Sequence, residues 1–215
     1  MNHNTKRLKW GVNGLADNSL DQEEYLSKSQ AIALWDSGAL QAFEVGTIKG
    51  LQEIHYALFH DLPGYQAGKL RDKNISKQGF RFASAIYLRS AAQAIEKMPQ
   101  QTFDEIIDKY VGMNILHPFM EGNGRATRIW LDLILKQELA LCVDWQQINK
   151  TDYLSAMAMS PTNPHFIKIL LKEALSDAID SRQVYMKGVE QSYFYEDLNA
   201  YSMEEIDADD SGEKD

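Results

Sequence analysis

A chain of 215 residues is long enough for one domain, and its 44% of hydrophobic residues is ordinary for a soluble globular protein. The net charge of −9 argues against general binding to nucleic acid, and no apolar run is long enough to cross a membrane. The N-terminus lacks the apolar stretch of a secretory signal, and the single cysteine, Cys142, excludes an internal disulfide. We therefore expect a cytoplasmic protein.

The first elements predicted along the chain are an arm and two helices. Residues 1–18 are polar and are expected to form a mobile arm. A Ser-Leu-Asp-Gln capping box then predicts a helix over residues 19–36. Thr47 is a suitable N-cap for the next helix, because apolar residues recur at helical spacing over residues 48–59. His55 lies on that apolar face, so we interpret it as a core histidine rather than a ligand.

The middle of the chain contains a predicted non-helical segment, which is followed by further predicted helices. Residues 68–82 lack helical periodicity, and partial alternation around Gly79 predicts a short β-hairpin, expected to be the only strand pair. An ordinary surface loop is the alternative. A helix is predicted over residues 83–98 with Ile86 facing inward. A second capping box at Thr102 opens the helix after it.

The residues best suited to catalysis and ligand binding are concentrated at 117–128, where the sequence is His-Pro-Phe-Met-Glu-Gly-Asn-Gly-Arg-Ala-Thr-Arg. Helical periodicity on both sides predicts a tight loop that feeds a helix N-terminus. Glycines at 122 and 124 let a ligand approach the backbone, and the first N–H groups of a helix bind phosphate readily. Arg125 and Arg128 are three residues apart, so both can reach the same phosphate.

Two further side chains of this loop suggest catalysis. Glu121 offers a carboxylate oxygen, and Mg²⁺ commonly takes one or two carboxylates together with substrate phosphates. His117 has the side chain whose unperturbed pKa is nearest neutral, so it can act as a general base.

This loop resembles, without departure, the Fic signature His-Pro-Phe-x-(Asp/Glu)-Gly-Asn-Gly-Arg-x-x-Arg, and the resemblance extends over roughly residues 34–198. It implies a mainly α, single-domain fold, with the catalytic domain at residues 19–188. It also implies a β-hairpin flap that holds a target protein by β-augmentation. The activity implied is transfer of AMP from ATP to a Tyr, Thr or Ser hydroxyl of that target, with His117 as base and Glu121 holding Mg²⁺.

The resemblance also implies which residues bind ATP. They are Lys77, Asn114, Ile115, Leu116, Gly122, Asn123, Gly124, Arg125, Ala126, Thr127, Arg128 and Tyr153. For Tyr153, a half-buried core position is an equally good interpretation.

A second resemblance lies near the end of the chain. Ser192 and Glu196 match the pattern (Ser/Thr)-x-x-x-Glu-(Gly/Asn) of a C-terminal inhibitory helix found in one class of Fic proteins, while Asp197 departs from its last position. We expect a short helix within residues 189–200, because Gly188 precedes it, and an acidic tail at 201–215. An ordinary C-terminal turn with a solvated glutamate is the alternative.

The inhibitory class implies a mechanism for that helix. Glu196 would pair with Arg128 and exclude the γ-phosphate of ATP, while the Ser192 hydroxyl would bond the motif loop near Asn123. Members of the class are often homo-oligomers that modify themselves on a tyrosine of this helix, for which Tyr193 is the candidate here.

Other functions stay open at this stage. Some Fic proteins transfer UMP or phosphocholine, and the Doc toxins transfer phosphate. Doc proteins lack the intact Gly-Asn-Gly-Arg-x-x-Arg element present here, which favours AMP. A catalytically silent nucleotide-binding regulator is the alternative from another class, and the presence of both His117 and Glu121 argues against it.

Overall fold

A computed structural model describes residues 17–77 and 79–212, so residues 1–16 of the predicted arm and the last three residues of the acidic segment lie outside it. The described part is mainly helical, as predicted. Its helices are α1 (Asp17–Asp36), α2 (Ile48–Phe59), α3 (Leu88–Glu96), α4 (Phe103–Leu116), α5 (Asn123–Leu139), α6 (Lys150–Met159), α7 (His165–Glu173), α8 (Arg182–Phe194) and α9 (Met203–Gly212). Its strands are β1 (Ser76–Lys77), β2 (Phe80–Arg81), β3 (Cys142–Val143) and β4 (Leu175–Ser176).

Helix α5 is the centre of the fold. It packs against α2, α4 and α8, and its middle section, including Ile129, Trp130 and Leu131, is buried on successive sides. Trp130 is fully buried, and its indole N–H donates to the carbonyl of Thr47 at 3.0 Å. The start of α2 is therefore fixed to the middle of α5, and both helices approach the loop at 117–128.

The predicted helix starts are largely confirmed. Thr47 caps α2 by accepting a hydrogen bond from the Gly50 N–H at 3.0 Å. Thr102 and Glu105 form the reciprocal capping box that opens α4. Helix α1 begins earlier than predicted, at Asp17, so Ser19 lies inside its first turn and residues 17–18 are helical rather than part of an arm.

Two predictions about the middle of the chain are wrong. The hairpin β1–β2 forms with Ser76 opposite Arg81, but β3 and β4 make a second antiparallel pair, so it is not the only one. Ile86 does not face inward, because its side chain is 79% exposed. Asn74 accepts a hydrogen bond from the Ala85 N–H at 2.8 Å, which holds this segment as a 3₁₀ turn beside the hairpin and delays α3.

The C-terminal segment also differs from the prediction. Helix α8 is longer than expected and continues through Gly188, where a Cβ would meet Trp145 Cδ1 at 3.0 Å. The glycine thus permits close packing instead of ending the helix. The acidic segment contains α9, whose Met203 and Ile206 are buried and which packs on α1. No helix in the described ranges has the length and apolar character needed to cross a membrane.

Candidate active site

His117 stands at the junction of α4 with the motif loop. It ends α4 in the left-handed conformation, with φ 48°, and its ring stacks on Phe82 with centroids 3.8 Å apart. Burial lowers the pKa of His117 to about 4, well below the ordinary value near 6.5. The imidazole is therefore neutral at pH 7, which is the form that can accept a proton.

Arg71 joins the hairpin to this junction, a role that no local sequence pattern indicates. Its guanidinium is buried and donates to the carbonyls of His117 at 2.7 Å and Leu116 at 3.1 Å. It also donates to the carbonyls of Lys73 at 2.6 Å and Ala83 at 2.5 Å, which lie on either side of the hairpin. One side chain thus fixes both ends of the hairpin to the backbone that carries His117.

Asn123 shapes the loop from within. Its side-chain oxygen accepts from the Phe119 N–H at 2.8 Å, and its side-chain nitrogen donates to the Phe119 carbonyl at 2.8 Å. The predicted contact between Ser192 and Asn123 is therefore absent, because this amide is already bonded at both ends. Asn123 organises the loop around the start of α5.

The N-terminus of α5 forms an anion cradle, which we define as the backbone of Gly122, Asn123 and Gly124. Gly122 precedes the helix with φ 70°, and a Cβ there would meet the Phe59 ring at 2.6 Å. No side chain caps the helix, so the first N–H groups lack the usual cap and have no intrahelical partner. These groups and the helix dipole favour an anion here.

Glu196 supplies a carboxylate to this cradle. Its Oε1 lies 3.1 Å from Arg128 Nη2, and its Oε2 lies 3.0 Å from Arg125 Nε. A Cβ on Gly124 would meet Oε1 at 2.6 Å. Burial opposes the charged form, but the two guanidinium groups outweigh it and hold the pKa of Glu196 below its usual range. The predicted pair with Arg128 is present, and the second pair with Arg125 is additional.

The end of α8 fixes the position of Glu196. The Leu198 N–H donates to the Tyr193 carbonyl at 3.1 Å, and the Asp197 N–H donates to the Phe194 carbonyl at 3.2 Å. Asp197 has φ 63°, which completes a Schellman-type helix end. Gly or Asn suits this left-handed position best, which explains the pattern from which Asp197 departs.

Ser192 bonds to Arg128 rather than to the motif loop. Arg128 Nε donates to the Ser192 hydroxyl at 2.6 Å, and Nη2 donates to the Ser192 carbonyl at 2.9 Å. Arg128 Nη1 is 3.3 Å from the Tyr153 hydroxyl, which is itself 2.6 Å from that of Tyr110. Arg128 is therefore held by Ser192 of α8 and by Tyr153 of α6.

Glu23 of α1 is a second acid on Arg125, and sequence reasoning missed it. Its Oε1 lies 2.8 Å from Arg125 Nη2 and accepts a hydrogen bond from the Tyr65 hydroxyl at 2.7 Å. The Arg125 guanidinium also lies over the rings of Phe59 and Tyr193, at 4.8 and 5.0 Å from their centroids. Arg125 is thus enclosed and paired between α1 and the end of α8.

Part of the chain resembles a known protein family. Residues 46–135 match the model of the Fic/DOC family. The chain carries a Fic/DOC domain. It is 29% identical over 167 residues to the protein adenylyltransferase VbhT of Bartonella schoenbuchensis, an alignment that covers 67% of this chain and 34% of that protein. The chain therefore spans about a third of the length of this relative.

Solved structures of Fic domains share the fold. The BepC protein of Bartonella tribocorum, solved with bound AMPPNP, has a TM-score of 0.62 at 18% identity and covers 74% of this chain and 87% of its own. A Fic domain of Bartonella quintana with bound ADP has a TM-score of 0.60 at 16% identity and covers 78% of this chain and 88% of its own.

One cavity of about 560 Å³ collects much of the predicted site of the Fic/DOC domain. The predicted residues that line it are Lys77, Asn114, Ile115, His117, Glu121, Gly122, Asn123, Gly124, Arg128, Tyr153 and Glu196. The cavity therefore joins the hairpin, the anion cradle and the end of α8.

Other predicted residues lie behind the cavity wall. They are Leu116, Arg125, Ala126, Thr127, Ser192 and Tyr193. Thr127 donates to the Asn123 carbonyl at 2.7 Å and so supports the first turn of α5. Tyr193 is fully buried, and burial raises the pKa of its hydroxyl to about 12. In this arrangement Tyr193 is not accessible as the acceptor of its own modification.

Glu121 places an exposed carboxylate at this cavity. Its backbone carbonyl accepts from His55 Nε2 at 3.0 Å. His55 Nδ1 accepts from the Gly68 N–H at 2.9 Å, which confirms it as a satisfied core histidine. Within the described ranges no three acidic, His or Cys side chains form a metal cluster. One carboxylate beside a phosphate cradle fits Mg²⁺ shared with a substrate.

Proposed function

We propose that this protein transfers AMP from ATP to a hydroxyl group of a target protein, and that Glu196 restrains the transfer. The observation that carries the proposal is that a neutral His117, the carboxylate of Glu121 and the anion cradle open into one cavity. The likeness to a relative named a protein adenylyltransferase, and to Fic domains solved with AMPPNP or ADP, supports the choice of an adenine nucleotide.

The cradle accounts for binding and charge stabilisation. The N–H groups at the start of α5 hold phosphate oxygens, and Arg128 adds a guanidinium that can bond two oxygens at once. Asn123 contributes by holding the loop, since its amide is bonded to Phe119. Positioning and charge stabilisation of this kind supply most of the catalysis in phosphoryl-type transfer.

His117 provides the proton transfer. Its neutral ring takes the proton of the acceptor hydroxyl as that oxygen bonds to the α-phosphorus. The bond from the α-phosphorus to the oxygen that bridges to the β-phosphorus breaks, and diphosphate leaves with those electrons. Glu121 would hold Mg²⁺, which supplies neutralisation of phosphate charge when bound.

The hairpin suits the target chain. Within residues 17–77 and 79–212, β1 and β2 each pair only with the other, which leaves their outer edges available, and Phe80 on β2 is exposed at the cavity. Exposed strand edges bind an extended peptide by main-chain hydrogen bonds. Arg71 fixes the hairpin to the backbone of His117, so a peptide bound there would present its hydroxyl near the base.

The carboxylate of Glu196 accounts for the proposed inhibition of AMP transfer. This carboxylate pairs with Arg125 and Arg128 and stands over Gly124, where a phosphate group would otherwise lie. A γ-phosphate brought to Arg128 would have to displace this carboxylate against like-charge repulsion. ATP then binds in a pose that does not support transfer, until the end of α8 moves.

Labelled ATP tests the reaction. Glu196→Gly protein is incubated with Mg²⁺, a protein extract and ATP labelled on the α- or the γ-phosphate. We expect protein-bound α-label only, lost in the Glu196→Gly/His117→Ala double variant while ATP binding persists. Protein-bound γ-label alone would instead identify a phosphotransferase. ATP binding without any label would favour the silent regulator, and full labelling of the double variant would remove His117 from the mechanism.

A further inference from the structure

A second cavity, which we call the back cavity, lies behind α8 and away from the hairpin. It encloses about 530 Å³ between α5, α8 and the segment that follows α1. Its apolar wall includes Trp35, Leu58, Leu133, Val143, Trp145 and Tyr185. The volume lies within the range of about 300–1,000 Å³ typical of small-molecule sites.

We propose that the back cavity binds a small aromatic molecule that carries a cationic amine. The apolar wall would take the aromatic body, and the carboxylate of Asp132 would take the amine. The back cavity shares Arg128 with the cavity of the proposed transfer site, but the ligand proposed here is held through Asp132 and the aromatic wall, so the proposal does not depend on that function.

The carboxylate of Asp132 determines which charge the ligand should carry. It accepts hydrogen bonds from the Val143 N–H and the Trp145 indole N–H, both at 2.9 Å. Within the described ranges no Lys, Arg or His side chain forms an ion pair with it. It keeps some accessible surface although it lies deep in the fold, because it faces the cavity. A carboxylate in such surroundings is stabilised by a cation that arrives with the ligand.

The other charged groups of the back cavity are already paired. Lys136 lies 2.7 Å from Asp180 at the rim. Arg125 and Arg128 are both paired with Glu196. Among the described side chains that line the cavity, Asp132 is therefore the charged one that lacks an ion-pair partner, which favours an amine over a carboxylate or phosphate ligand.

The wall composition favours an aromatic body. The rings of Trp35 and Tyr185 are stacked with centroids 4.7 Å apart, and Trp145 lies beside Asp132 through its indole N–H. Aromatic side chains pack well against another ring and also attract a nearby cation. An aromatic amine satisfies both the wall and the carboxylate.

Cys142 provides a direct reporter. It is the only cysteine of the sequence, it lines the back cavity, and it is half-buried. A bound molecule should shield its thiol from a small neutral disulfide reagent such as 4,4′-dithiodipyridine. The reaction of Cys142 therefore measures occupancy without nucleotide, so failure here is distinguishable from failure of the proposed function.

The test compares two indole probes of similar shape and opposite charge, tryptamine and indole-3-propionate, on the full chain at pH 8. Tryptamine at ten times its dissociation constant should slow the reaction of Cys142 about elevenfold, while indole-3-propionate leaves the rate unchanged. Equal protection by both probes, or none by tryptamine at millimolar concentration, would overturn the proposal.

Two variants test whether the carboxylate of Asp132 binds the amine. Asp132→Asn should weaken tryptamine binding at least about tenfold by calorimetry, as loss of a paired buried charge predicts. The matched variant Asp104→Asn, at an exposed position in the first turn of α4 and outside the cavity, should bind tryptamine like the wild type. Unchanged binding by a folded Asp132→Asn would contradict the assignment. Should Asp132→Asn not fold, the comparison of the two probes on the wild-type chain decides alone.

Discussion

The Glu196 carboxylate lies directly over the backbone of Gly124, so close that a Cβ at this position would meet Oε1 at 2.6 Å. The same carboxylate pairs with Arg125 and Arg128. The helix end that carries Glu196 therefore fills the place where the start of α5 favours an anion. The proposed phosphate site and the proposed inhibitory carboxylate therefore occupy the same place at the start of α5.

The bond from Arg128 to Ser192 gives a graded test of the restraint. Ser192→Ala removes the acceptor of the 2.6 Å bond from Nε, which should cost the seated form of α8 about 1–2 kcal/mol. The released form should become about 5- to 30-fold more populated, and AMP transfer should rise by the same factor. Initial rates with α-labelled ATP measure this. Gln183→Ala, at an exposed position of α8, should leave the rate unchanged, and an equal rise in both variants would contradict the role of Ser192.

The left-handed position of Asp197 predicts an unusual order of stability. Asp197→Gly should be more stable than Asp197→Ala by about 1 kcal/mol, because Ala pays the steric cost of φ 63° and Gly does not. Both variants lose the ion pair with Lys150, so that contribution cancels. Urea unfolding of the two variants gives the difference, and Ala equal to or above Gly would show that the helix end is built differently.

The buried ring of His117 predicts the pH profile. A base with its pKa lowered to about 4 stays neutral until the pH falls well below 6.5. In Glu196→Gly, the acid limb of kcat/KM, which reports the free enzyme, should therefore lie below pH 5.5. An acid limb centred near 6.5 would mean that His117 is solvated in the active form.

Arg71 should be needed for both stability and transfer. Arg71→Lys keeps a charge but cannot make four carbonyl hydrogen bonds, so we expect a loss of about 2–4 kcal/mol in the free energy of unfolding. The apparent KM for a peptide target should also rise in the Glu196→Gly background, since the hairpin is no longer fixed. Arg89→Lys, on an exposed face of α3, is the control, and a variant that behaves like this control would remove Arg71 from the account.

The sequence predicted those features that depend on neighbours along the chain. The capping box at Thr102, the apolar face of α2 and the loop at 117–128 are local patterns, and each forms where expected. The pair between Glu196 and Arg128 was predicted only through the family resemblance, since 68 residues separate the two.

The missed features depend on contacts between distant segments. Glu23 reaches Arg125 from α1, and Arg71 bonds backbone carbonyls that have no side-chain signature. Gly188 stays helical because Trp145 packs against it, a contact that no helix propensity contains. Asn123 carries the amide expected to touch a ligand, yet it closes the loop on itself.

The most direct measurement of the central claim is the initial rate of protein labelling by α-labelled ATP. Wild type, Glu196→Gly and Asp197→Gly are compared side by side, with ATP binding measured for each. We predict a rise of at least about tenfold in Glu196→Gly, since about 1.4 kcal/mol of lost restraint suffices for it, and no rise in Asp197→Gly. Equal labelling rates in wild type and Glu196→Gly, with ATP bound by both, would contradict the account.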